Sequence, residues 1–312
     1  MVESVICLLE TSLQWFIEEM FRMGYGQHQS FYLRVNWLRK AIKQLQRDNR
    51  FFYDENAAEL IGLGKNMVQS LRYWVVATDI VREVSQGRVY HDISEFGNLV
   101  NQFDPFIELR NTAAILHYHL TDDVEPSTTW YWYFNVFSSA ATTKSELVED
   151  LVAWIGRNDT KKPSENSLKR DIDCLVRLYC QGETVDDPEE VIQSPLAVIG
   201  LLKEEKGIVH KVSPKYSDIG LGALMYSLLK YKDVHGQTFL SVEEIEDKPM
   251  LWGRVFNLQR SEIINALERL TLHPYYPVSF DRTNKLNTVH LPDVSSMEFL
   301  RESYKRSGRE TA

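Results

Sequence analysis

GLGKNMVQSLRYWV, residues 62–75, joins a glycine-bracketed turn to an amphipathic run, and two folds compete for it. One is a nucleotide-binding loop. A Walker loop needs a glycine five residues before the Gly-Lys pair and a Ser or Thr after the lysine to hold magnesium. Glu59 and Asn66 stand at those places, so that reading fails. The other is the turn and third helix of a helix-turn-helix domain. Gly62 and Gly64 bracket the turn, and Lys65 opens a helix running to about Asp79. Val68, Leu71 and Val75 then face the core. Lys65, Asn66, Gln69, Ser70 and Arg72 lie in the first turns of that helix, polar and long enough to reach phosphates or base edges. A solvated face on a domain that meets only other proteins fits the same pattern, because this fold is reused as an interaction module.

Working outward, NWLRKAIKQLQRDN puts Trp37, Leu38, Ala41, Ile42 and Leu45 on one helical face and Arg39, Lys40, Lys43 and Arg47 on the other. DENAAELIG is a second helix, capped by Asp54 or Asn56 and stopped by Gly62. After the Lys65 helix, IVREVSQGRVYHDIS reads as strand, glycine turn, strand. Three short helices and a hairpin make a winged helix-turn-helix. Two later stretches have similar parts. TKSELVEDLVAWI and PSENSLKRDIDCLVRLY are amphipathic helices, the second starting near Ser164 or Ser167. Beyond the acidic connector GETVDDPEEVIQSP come DIGLGALMYSLLKYKD, LSVEEIED and QRSEIINALERLTL, then VSFDRTNKLNTVHLP as strand, turn at Asn284 and Lys285, strand.

The expected fold is therefore mainly α (α+β): tandem winged helix-turn-helix-like domains with small β-hairpin wings. The expected units are 1–100, 101–182 and 183–312. At the N-terminus, Ile6, Leu9, Leu13, Phe16 and Met20 stripe a helix that faces either its own core or a homodimer seam.

Composition agrees with several folded units. The chain has 312 residues, more than one usual domain, and its 44% apolar and 12% aromatic content can fill ordinary cores. A net charge of -9 argues against a uniformly basic coat, so nucleic acid would have to meet a local basic face. The stretch Arg22 to Arg50 supplies one, with Arg34, Arg39, Lys40, Lys43 and Arg47 against the single acid Asp48. Cys7, Cys174 and Cys180 are an odd set without a CxxC pair, which points to a reducing cytoplasm and away from disulfides or zinc. No run is long and apolar enough for a membrane span, so no membrane role is expected.

LHYHLTDD is the only cluster suited to metal or hydrolytic chemistry: His117 and His119 with Asp122 and Asp123. On a strand the two imidazoles would share a face. On a helix, which NTAAILHY suggests, they point apart and become buried or capping groups. TTWYWYFNVFSS packs six aromatic residues with few basic neighbours, as a core brace rather than a single-strand stacking platform. His28 reads as a structural histidine before a general base, and His91 beside Asp92 as a surface residue.

HQSFYLRVNWLRK, IGLGKNMVQSLRYW, LHYHL, TTWYWYFN and SLKRDIDCLVRLY together resemble a bacterial domain-of-unknown-function family encoded beside PAPS-reductase-like genes. The resemblance runs from about residue 28 into the third unit. Such loci include DNA phosphorothioation and related phage-defence systems, and the family member of the Ssp-type system is its DNA-nicking component. The resemblance implies a cytoplasmic DNA-binding protein that nicks DNA or presents it for sulfur incorporation. Its implied partners are DNA, a PAPS-reductase-like sulfur-transfer protein and an ATPase. The family offers no catalytic motif to carry over. On residue chemistry, Arg34, Arg39, Lys40, Lys43, Lys65 and Arg72 are the expected phosphate contacts and Asn66 and Gln69 the candidate adenine readers. His117, His119 and Asp122 are the catalytic candidates, with magnesium or manganese required only if the protein nicks. A non-enzymatic adaptor and a transcriptional regulator of the locus are the rival readings.

Overall fold

The computed structural model describes residues 24–159, 162–180, 194–282 and 287–310. The expected N-terminal helix, Cys7, most of the acidic connector and the turn at Asn284 and Lys285 lie outside them.

Residues 37–93 follow the expected order. Helices α1 (Trp37–Leu45), α2 (Ala57–Ile61) and α3 (Lys65–Ala77) lead into strands β1 (Val81–Gln86) and β2 (Arg88–Ile93), an antiparallel hairpin. The turn between α2 and α3 needs its glycine: Gly62 sits in the left-handed region at φ 66° and ends α2. Gly64 then starts α3 in extended backbone. Trp37, Leu38, Ala41, Ile42 and Leu45 are all buried, as are Val68, Leu71 and Val75, so the apolar stripes face inward as their spacing requires.

The centre of the molecule is built from α4 (Glu95–Phe103), α5 (Arg110–Thr121) and α6 (Thr128–Tyr131), which continues as a π-helical turn over Trp132–Val136. Every residue of α5 from Thr112 to Thr121 is buried, which makes it the central pillar. The aromatic run is core: Trp130, Trp132, Tyr133 and Phe134 are each 2% exposed or less.

Two further sheets share one topology. In the first, β3 (Ala141–Thr143) precedes helices α7 (Lys144–Asn158) and α8 (Glu165–Tyr179), followed by β4 (Leu202–Glu205) and β5 (Ile208–Lys211), with strand order β3-β5-β4. Helices α9 (Tyr216–Ile219) and α10 (Leu221–His235) follow. In the second sheet, β6 (Phe239–Ser241) precedes α11 (Val242–Asp247), α12 (Trp252–Val255) and α13 (Arg260–Leu270), then β7 (Ser279–Arg282) and β8 (Asn287–His290), with strand order β6-β8-β7. Helix α14 (Ser296–Glu310) closes the chain. Each leading strand passes directly into its helix through a capping box. Thr143 and Glu146 exchange side-chain-to-backbone bonds of 2.8 and 3.3 Å, and Ser241 and Glu244 bonds of 2.7 and 3.1 Å.

The protein is thus a helix-rich α+β molecule, with three small antiparallel sheets among the described residues. Two of these are three-stranded: the strand pair expected in VSFDRTNKLNTVHLP is present as β7 and β8, and β6 adds a third strand beside β8. The expected division at 182/183 also falls inside a sheet, because β3 pairs with β5 across it. Cys174 and Cys180 are free thiols. No helix among the described residues is long and apolar enough to cross a membrane.

Candidate nucleic-acid interface

Helix α3 shows two different faces. Its inner face holds the preceding chain. Trp74 Nε1 donates to the Phe31 carbonyl at 2.9 Å and Ser70 Oγ to the same oxygen at 3.2 Å. The strap 24–31 is thereby laid along α3. His28 lies under the strap, 1% exposed, among the rings of Tyr73, Trp74 and Trp130. Ser30 N–H donates to His28 Nδ1 at 3.1 Å, so Nε2 carries the proton and donates to Asp171 on α8 at 2.7 Å. Gly26 N–H and Thr129 Oγ1 also donate to that carboxylate, at 2.8 and 3.0 Å. The buried carboxylate thus has three donors, and both ring nitrogens of His28 are engaged.

The outer face carries Lys65, Asn66, Gln69 and Arg72. Lys65, Gln69 and Arg72 recur at four and three residues and share one side of the helix. Lys65, Asn66 and Gln69 are exposed, but Arg72 is half-buried and donates to Glu83 on β1 at 2.7 Å. Its guanidinium also covers the Tyr53 ring, 4.8 Å from the centroid. Arg72 is therefore a neutralised cation.

The other basic candidates divide in the same way. Lys43 is exposed, with no hydrogen bond or ion pair among the described residues. Lys40 Nζ reaches the Ile61 carbonyl at 3.4 Å, at the end of α2. Arg39 stacks on Phe106 at 4.6 Å, and Arg34 lies over Tyr32 and Trp37 with its Nε buried and unbonded. Much of the basic stretch read from sequence is thus used to fasten the fold.

Between the strap, α3 and β1 lies a cleft of about 500 Å³ bordered by Gln27, Gln29, Gln69, Arg72, Tyr73 and Glu83. Gln69 and Arg72 were expected at a site. Gln27, Gln29 and Glu83 were not, although the two glutamines flank His28 in a glycine- and serine-bounded turn, GQHQS. Behind the cleft rim His91 is fully buried, which corrects the surface role read from sequence. Its Nε2 is 3.4 Å from a Glu83 carboxylate oxygen without hydrogen-bond alignment. Burial and then the Arg72 charge lower its pKa, against the pull of Glu83.

The hydrolytic candidates separate into His117 on one side and His119 with Asp122 on the other. His117 donates from Nε2 to the Val255 carbonyl and accepts at Nδ1 from the Tyr179 hydroxyl, both at 2.7 Å. Burial drives its pKa down to about 3, so it is a neutral core residue with no free nitrogen. His119 lies apart from it, bonded to the Tyr226 hydroxyl at 3.0 Å and 3.3 Å from Asp122. His119 and Asp122 border a small cleft of about 190 Å³ with Asp79, Glu125, Arg82 and Lys230. Arg82 bonds Asp79 there at 3.2 Å, and cations stand among the acids. Among the described residues no three His, Cys, Asp or Glu side chains gather to hold a metal. The residues present do not form a magnesium cage.

Among solved structures, this fold is similar to an SspB crystal structure, with a TM-score of 0.79 and 19% identity over 93% of this chain and 88% of that one. It is also similar to a magnesium ion-bound SspB crystal structure, with a TM-score of 0.77 and 19% identity over 93% and 97% of the two chains. No curated protein matches the chain. A family model covers residues 25–304, from the strap that contains His28 to the last helix, and the chain belongs to that family, the proteins of unknown function DUF4007.

Proposed function

We propose that this protein is the DNA-binding component of a phosphorothioation-type defence system, and that it docks DNA on the outer face of α3. The observation that carries this reading is the exposed row of Lys65, Asn66 and Gln69, with Lys43 on α1, all unpaired among the described residues. Such a row costs a fold nothing to leave in water and matches phosphate oxygens and base edges. The order helix, helix, helix, hairpin over 37–93 supports a winged helix-turn-helix with α3 as its recognition helix. The repeated β3-β5-β4 and β6-β8-β7 sheets support two further units of that type. The likeness to SspB and the sequence resemblance support a place among Ssp-type proteins, with a sulfur-transfer protein and an ATPase as partners.

Whether the protein presents DNA or also nicks it is read with supercoiled plasmid, with and without magnesium or manganese. Open-circle product that needs the metal makes it a nickase. Binding without nicking makes it a presenting subunit, as the scattered hydrolytic candidates favour. Lys43→Ala and Lys65→Ala should each lower the salt slope of binding by about one counterion. An unchanged slope in both would remove this face from the DNA site, and absence of any DNA binding would leave the adaptor reading.

A further inference from the structure

We infer that the cleft between the strap 24–31 and α3 receives a single unpaired nucleobase, adenine foremost. This inference rests on the DNA-binding reading above and names what that site recognises beyond phosphate.

The lining selects the ligand. Gln27, Gln29 and Gln69 bring three primary amides to one cleft from two separate elements. None of the three is engaged by another side chain or carbonyl among the described residues. An amide donates and accepts at once, as a base edge does, and adenine is the base whose adjacent acceptor and donor a glutamine matches with two bonds. Phe52, Val68, Tyr73 and Val76 give the cleft an apolar lining against which a planar ring can pack.

Charge excludes the simpler occupant. Arg72 is the cation at the cleft, and Glu83 neutralises it at 2.7 Å. A phosphate there would gain no counter-charge and would face a carboxylate. A neutral heterocycle meets no such penalty. Lys65 lies one helical turn from Gln69 on the same side of α3, about 6 Å along the axis. That is the spacing at which one nucleotide can set its phosphate on the lysine and its base in the cleft.

The strap is also preset. Gly26, Gln29 and Ser30 all have left-handed backbone, with φ of 66°, 51° and 67°. Left-handed backbone at a side-chain-bearing residue is strained, and here the buried bonds of His28 and Asp171 hold it in place. The backbone that carries Gln27 and Gln29 is therefore fixed before any ligand arrives, which lowers the ordering cost of binding. At about 500 Å³ the cleft has room for a nucleoside and some water.

The test compares two duplexes identical except at one bulged position, which carries adenine in one and an abasic residue in the other, titrated by fluorescence anisotropy. The wild-type protein should bind the adenine bulge about tenfold more tightly, the effect of one good bidentate contact. Gln29→Leu/Gln69→Leu should lose that preference, with its fold verified by thermal melting. Equal wild-type affinity for the two duplexes would overturn the inference while leaving the DNA-binding reading intact. No binding to either would overturn both. If the double variant does not fold, Gln27→Leu, at an exposed rim position, reads the same preference.

Discussion

His28 Nε2 donates to Asp171 Oδ1 at 2.7 Å, joining two residues 143 positions apart, each 1% exposed. The contact fastens the strap to α8 and so forms one wall of the cleft. Asp171→Ala would leave the donors of Gly26, His28 and Thr129 without their acceptor. The expected cost is about 3 kcal/mol of unfolding free energy, since a buried network loses its only charge. Urea unfolding measures it, and a loss below about 1 kcal/mol would show that the carboxylate does not hold the strap.

Glu83 pairs with Arg72 at 2.7 Å and so competes with a phosphate for its guanidinium. Glu83→Gln should therefore free a cation, tightening DNA binding and steepening its salt dependence by about one counterion. Arg72→Ala should change that slope little. A large loss of slope in Arg72→Ala would instead show that the arginine leaves Glu83 to meet DNA.

His117 supplies a pH signature. Its folded pKa of about 3 lies below the ordinary 6.5, so the unfolded chain takes up a proton before the folded one does. Its contribution to stability is complete above about pH 6.5 and is lost progressively as pH falls from there toward about 3. The slope contributed by this one group is at most about 1.4 kcal/mol per pH unit. Unfolding curves at pH 7, 6 and 5 should fall less steeply for His117→Gln than for the wild type. Parallel curves would mean that the imidazole is protonated in the folded protein.

The capping boxes at Thr143 and Ser241 sit at equivalent points of the two three-stranded units. Thr143→Ala and Ser241→Ala should each cost about 1 kcal/mol. They lie in different sheets, so the double variant should lose the sum within about 0.5 kcal/mol. A markedly smaller sum would indicate that the two units unfold separately.

The sequence by itself determined the local architecture of residues 37–93. Glycines at 62, 64 and 87 and the apolar spacing of α1 and α3 fix turns and inward faces within a few residues, and physics that local is legible in one chain. It also pointed to the aromatic core. It did not show strands β3 and β6, three residues each, although the Thr-x-x-Glu and Ser-x-x-Glu caps that follow them were a readable signal. Only the tertiary structure decided which charges are available. Arg34, Arg39, Lys40 and Arg72 look alike in a sequence, yet each is placed against a ring, a carbonyl or a carboxylate supplied by another element. The cleft was hidden for the same reason. Gln69 stands about 40 residues from Gln27 and Gln29, and the strap's attachments to α3 and to Asp171, a further hundred residues along, bring their amides to one cleft.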